Sequence, residues 1–79
     1  MARNGIQDTF GKAVREARTT VGISQEELAD RSGLHRTYIS LLERGQRNPS
    51  LAVIEEISHA LGISMVDLVG RIEKQRVPR

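Results

Sequence analysis

Between Gln25 and Gly45 the chain reads QEELADRSGLHRTYISLLERG, which is two short stretches of helical apolar spacing on either side of Gly33. Leu28 and Ala29 mark the inward side of the first stretch, and Ile39 and Leu42 that of the second. Neither stretch can stand by itself, because isolated helices shorter than ~12–15 residues are marginal in water. Each must bury its apolar side against other helices, and the few residues around Gly33 keep the two adjacent. That angled pair is the constraint around which the rest of the chain has to fold.

The remaining segments are also helical in spacing, and no stretch alternates with period two for long enough to argue a strand. A first helix is expected over residues 9–21, with Phe10, Ala13, Val14, Ala17 and Val21 on one stripe and Gly22 as its stop. Ser24 and Glu27 form a capping box that opens the second helix. The third is expected over residues 35–44, closed by Gly45. After the loop Gln46-Arg47-Asn48-Pro49, Ser50 caps a fourth helix with Leu51, Ile54, Ile57 and Leu61 facing inward, and Gly62 ends it. Ser64, with Asp67 three residues on, opens a fifth. Two helices joined by three or four residues containing glycine make a helix-turn-helix unit. The expected fold class is therefore all-α, five helices, with that unit formed by the second and third. Residues 1–8 are expected to be a flexible arm, 9–70 the domain, and 71–79 a frayed basic tail.

Composition excludes several classes. The 79 residues contain no cysteine, and their only histidines, His35 and His59, have no ligand-spaced partner, so no metal and no cofactor is expected. The longest apolar runs fall far short of the ~20 residues that span a bilayer, and the first eight residues lack the apolar core of a secretory signal. A cytoplasmic protein is expected, with no membrane partner. No activated nucleophile, acid–base pair or glycine-rich phosphate loop is present, which argues against an enzyme and leaves no small-molecule ligand in view. Net charge is only +2, but residues 31–50 carry Arg31, Arg36, Arg44 and Arg47 against Glu43 alone. Arginine is the side chain suited to bidentate contacts with phosphate and guanine.

These residues resemble the Cro/CI (Xre) family of DNA-binding domains, whose fold is the lambda-repressor-like bundle. The likeness rests on Gln25, Leu28-Ala29, Gly33, Ile39-Ser40 and Leu42-Glu43-Arg44-Gly45, and continues through Pro49-Ser50-Leu51 and Ala60-Leu61-Gly62. The resemblance implies that the third helix enters the major groove of double-stranded DNA with its N-terminal residues on base edges. Arg36, Thr37, Ser40 and Leu41 are then the base-contacting positions. Arg36 can donate to guanine O6 and N7, and Thr37 can offer its hydroxyl or its methyl. Leu41 either packs on a thymine methyl or is partly buried. Phosphate contacts fall to Gln25, Arg44, Arg47, Asn48 and His35. Tyr38 either reaches a phosphate through its hydroxyl or packs its ring on the core. By the same resemblance Arg18 and Glu43 form a structural ion pair.

The run from His35 to Ser40, with Glu43-Arg44 and Arg47-Asn48, looks particularly like the controller proteins of restriction-modification systems, although other regulators of the family share it. Such proteins dimerise through their last helix. Met65, Val66, Val69 and Ile72 are here the expected dimer interface, because they carry more apolar surface than a short end helix can bury alone. A homodimer would read a palindromic operator with half-sites about one turn apart. Antitoxin-like protein binding is the alternative from another class.

Overall fold

The computed structural model describes residues 5–75. They form five helices: α1 Gly5–Val21, α2 Gln25–Ser32, α3 Arg36–Glu43, α4 Leu51–Leu61 and α5 Met65–Gln75. The caps fall where the sequence puts them. The hydroxyls of Ser24, Ser50 and Ser64 accept from the amides of Glu27 (3.0 Å), Val53 (3.1 Å) and Asp67 (2.9 Å). Each bond satisfies one first-turn donor that the helix itself cannot. Only the serine half of the expected Ser24–Glu27 capping box forms: the Glu27 carboxylate does not return to the Ser24 amide but takes Arg31 Nε at 3.0 Å, one turn on, so Arg31 belongs to a solvent-facing pair on α2.

One core holds all five helices. Ala13 and Val14 of α1, Leu28 of α2, Ile39 and Leu42 of α3, Ile57 of α4 and Leu68 of α5 are essentially sealed from solvent. The helix α1 packs against α3, α4 and α5, and α2 against α3 and α4. The α2–α3 connection, Gly33-Leu34-His35, turns because Gly33 sits at φ +75°, ψ +19°, a region that side chains with a Cβ rarely adopt.

The seam between α1 and α3 is a backbone contact. A Cβ placed on Gly11 would lie 2.5 Å from the carbonyl oxygen of Leu42 and 2.6 Å from that of Glu43. The last turn of α3 thus rests directly on the α1 backbone. Immediately beyond it, Gly45 lies against Asp8 of α1.

Four sequence-based expectations are corrected. The first helix starts at Gly5 instead of Thr9, so residues 5–8 are not a free arm. Ile6 and Phe10 line an apolar groove of about 210 Å³ with Pro49, Ile54, Val69 and Ile72, and Asp8 sits in the first turn, where the helix dipole favours an acid. Residues 1–4 lie outside the described residues. The tail is helical to Gln75, held by Arg71 against Asp67 (3.5 Å) and by Gln75 Nε2 donating to Glu16 Oε1 of α1 (3.3 Å). Residues 76–79 are not among those described. Val21 and Leu51 are on the right helical phase but stay exposed, 42% and 72%, because each occupies an end turn that the other helices do not cover. Ile72 is only 8% exposed and belongs to the core, so it adds nothing to a free apolar face.

Candidate nucleic-acid interface

Helix α3 has two sides of different character. Ile39, Leu42 and Glu43 are buried. At 3.6 residues per turn, positions 36, 37, 40, 41 and 44 fall together within about 140° of the opposite side. Arg36, Thr37 and Arg44 are exposed there, while Ser40 and Leu41 are half-buried. The base-contact set anticipated from sequence is therefore one contiguous face. Leu41 is half-buried, the second of the two alternatives raised for it. Its carbonyl anchors the end of the helix, accepting from Gln46 N at 2.9 Å while Leu42 O accepts from Gly45 N at 3.0 Å. This pair of bonds is the Schellman closure that requires φ > 0 at Gly45, which has φ +77°.

The anticipated phosphate contacts flank that face. His35 is the exposed N-cap residue of α3, with extended backbone (φ −84°, ψ 144°) and no cap hydrogen bond from its side chain. Arg44, Arg47 and Asn48 are exposed at the other end. Arg44 Nε reaches back to Ser40 O at 3.4 Å, and Arg47 Nη1 donates to Gln46 O at 2.8 Å. Tyr38 is half-buried with its ring against the core, which is the packing alternative raised for it.

Beneath this surface Arg18 and Glu43 meet as a two-point pair. Arg18 Nε donates to Glu43 Oε2 at 2.7 Å, and Nη2 donates to Oε1 at 3.0 Å. The remaining nitrogen, Nη1, donates to the carbonyl of Ile23 at 2.9 Å. The side chains are 14% and 3% exposed. The hydrogen bond to Glu43, reinforced by its charge and opposed by burial, raises the Arg18 pKa further above its ordinary value, so the guanidinium stays charged. The pair ties α1, the α1–α2 turn and the end of α3 together.

One contact was not anticipated. Gln25 Nε2 also donates to Glu43 Oε1, at 3.0 Å. Sequence reasoning placed Gln25 on DNA and Glu43 in the interior, and nothing in their spacing indicates that they touch. The local signal beside it is the position of Gln25 directly after the Ser24 cap, next to the turn that Arg18 holds through Ile23 O.

Two features of α4 and α5 complete the surface. Val66 is 82% exposed and Val69 39% exposed, with Met65 half-buried. Met65 lines one shallow groove with Leu51, Ala52 and Glu55, so Leu51 of α4 extends the apolar strip of α5. Among the described residues no group of three or more His, Cys, Asp or Glu is placed to hold a metal ion, and no helix is long and apolar enough to cross a membrane.

A short helix with a sealed back and an outward row of arginine and hydroxyl side chains, set across a glycine turn from a second short helix, defines a helix-turn-helix domain. The chain belongs to the helix-turn-helix family, whose model matches residues 14–68. It is 52% identical over 67 residues to the control protein C.BamHI of Bacillus amyloliquefaciens, covering 84% of this chain and 83% of that one. It is 44% identical over 67 residues to the uncharacterised HTH-type transcriptional regulator y4dJ of Sinorhizobium fredii, covering 85% and 82%. Among solved structures it matches the restriction-modification controller protein C.AhdI of Aeromonas hydrophila with TM-score 0.77 and 48% identity, over 78% of this chain and 94% of that one.

Proposed function

We propose that this chain is a cytoplasmic, homodimeric transcription regulator that reads a palindromic operator, and that it serves as the controller of a restriction-modification operon. The observation that carries the DNA-reading part is the outward face of α3, where Arg36 and Thr37 stand exposed at the N-terminal end while Ile39, Leu42 and Glu43 fix the opposite side in the core. Laid in a major groove, that face puts Arg36 and Thr37 on base edges, with Ser40 and Leu41 one turn behind. Gln25, His35, Arg44, Arg47 and Asn48 then hold phosphates and set the register, while Tyr38 packs its ring on the core. The controller reading is supported by likeness to C.BamHI and C.AhdI over most of the lengths of all three chains.

The dimer reading is supported by the strip of Leu51, Met65, Val66 and Val69, which is apolar and outward-facing in a single chain. Two copies joined there would present two α3 helices to two half-sites. The test is fluorescence anisotropy on the DNA upstream of the gene against a scrambled duplex, titrated with salt. With six to ten phosphates contacted, affinity should fall on the order of a thousandfold or more between 50 and 200 mM salt. Equal affinity for both duplexes would remove the sequence-reading role, and binding insensitive to salt would remove DNA as the partner.

A further inference from the structure

The end of α3 and the start of α2 share a single carboxylate. Glu43 is a charged residue only 8% exposed, and its fork is already complete in the two-point pair with Arg18. The third donor, Gln25 Nε2, is not needed to neutralise Glu43. It does, however, determine what Gln25 can present. An ionised carboxylate only accepts, so the Gln25 carboxamide must turn its NH₂ group toward Glu43 and its carbonyl oxygen away. An unheld glutamine distributes that group over many rotamers.

Taking the DNA-reading proposal above as its basis, we infer that Glu43 is a positioning residue for the operator backbone. It fixes the Gln25 carboxamide so that the second N–H of Nε2 is offered to a phosphate at the start of α2. Arg18, by orienting both carboxylate oxygens of Glu43, sets that donor through one intermediate. The same three side chains thereby link how α1, α2 and α3 pack to where the duplex backbone is held.

Replacing both members of the ion pair separates this role from a strut role, because paired charges can be exchanged for apolar residues of similar volume without loss of folding. Operator affinity is measured for the full chain, for Gln25→Ala, for the paired variant Arg18→Met with Glu43→Met, and for all three substitutions together, with the folded fraction checked by circular dichroism. Gln25→Ala should weaken binding about tenfold or more, the range of a hydrogen bond to a charged group. The paired variant should stay folded and weaken binding by a similar factor, and adding Gln25→Ala to it should cost little more. If the paired variant binds as tightly as the parent, or if the two losses multiply, Glu43 does not position Gln25. Should Gln25→Ala bind unchanged while the parent still binds in a salt-dependent way, the inference fails and the DNA-reading proposal stands. Should the parent fail to bind at all, both fall. A second readout needs no variant: the side-chain ¹⁵N resonance of Gln25 in the free protein should show a rigid, slowly exchanging NH₂ group. A motionally averaged signal overturns the inference.

Discussion

Gly11→Ala sets two physical effects against each other, and the structure decides the sign. In the middle of a helix the exchange removes glycine's backbone entropy, which by itself stabilises by roughly 0.5–1 kcal/mol. Here the new methyl would sit 2.5 and 2.6 Å from the carbonyl oxygens of Leu42 and Glu43, and 2.9 Å from the carbonyl carbon of Glu43. These neighbours are backbone atoms and cannot swing aside. To reach an ordinary contact, α1 and α3 must part by about 0.9 Å, a gap that forfeits a quarter to a half of the dispersion attraction across the seam. Overpacking of this kind costs about 1–3 kcal/mol, and the separation also lengthens the Arg18–Glu43 pair on the same seam. The net expectation is a loss of about 1–2 kcal/mol, or a Tm lowered by roughly 5–15 °C in a domain of this size. Urea and thermal unfolding followed by circular dichroism, at one fixed protein concentration, measure it. Gly70→Ala is the reference, since that helical position has no heavy atom within 4 Å of the added Cβ and should gain stability. If Gly11→Ala proves as stable as the parent, the backbone contact between α1 and α3 does not exist as described.

Arg36→Ala should weaken binding to the cognate operator by about 1–3 kcal/mol and relax preference at one base pair, read by anisotropy on single-base operator variants; an equal loss on every sequence would make Arg36 a phosphate contact. Arg18→Met alone leaves the Glu43 carboxylate buried without its countercharge and should cost about 3–5 kcal/mol in chemical unfolding. Because the folded-state pKa of Arg18 is raised, the stability it contributes is fully present below its ordinary value and is lost only above that. The gap between parent and Arg18→Met should therefore be the same at pH 7 and pH 10, and narrowing of the gap would contradict a charged Arg18. Leu51→Glu combined with Val66→Lys should give a single-chain species in sedimentation at micromolar concentration while leaving the helix content intact; a persistent dimer would place the interface elsewhere.

The local grammar of this chain was readable in advance. Serines 24, 50 and 64 cap helices because a hydroxyl at that position meets an amide with no helical acceptor, a relation confined to four residues. The core followed from spacing for the same reason, with Ala13, Val14, Leu28, Ile39 and Ile57 on the phases expected. What spacing does not specify is where a neighbouring helix ends. Leu51 and Val21 have core phase but lie in uncovered turns, and Ile72 looked like surplus although α1 and α4 cover it. The same limit applies to the site. The outward row of Arg36, Thr37, Ser40 and Leu41 lies within one helix, so the family likeness located it position by position. The Arg18–Glu43 pair came by family likeness, since its partners are 25 residues apart. The approach of Gln25 to Glu43 and that of Gly11 to the α3 carbonyls depend on tertiary packing alone.

The two-sidedness of α3 bears on how such a regulator can change. Arg36 and Thr37 stand clear of the core, whereas Ile39, Leu42 and Glu43 hold the helix in place. On the DNA-reading proposal, a substitution at the first pair would alter which bases are read at small risk to folding, because exposed positions away from special contacts usually shift stability by no more than ~0.5 kcal/mol. A substitution in the second group does the reverse. Under that proposal operator preference can drift between lineages at nearly constant scaffold, so that related chains would come to ignore one another's promoters within one cell while sharing the same architecture.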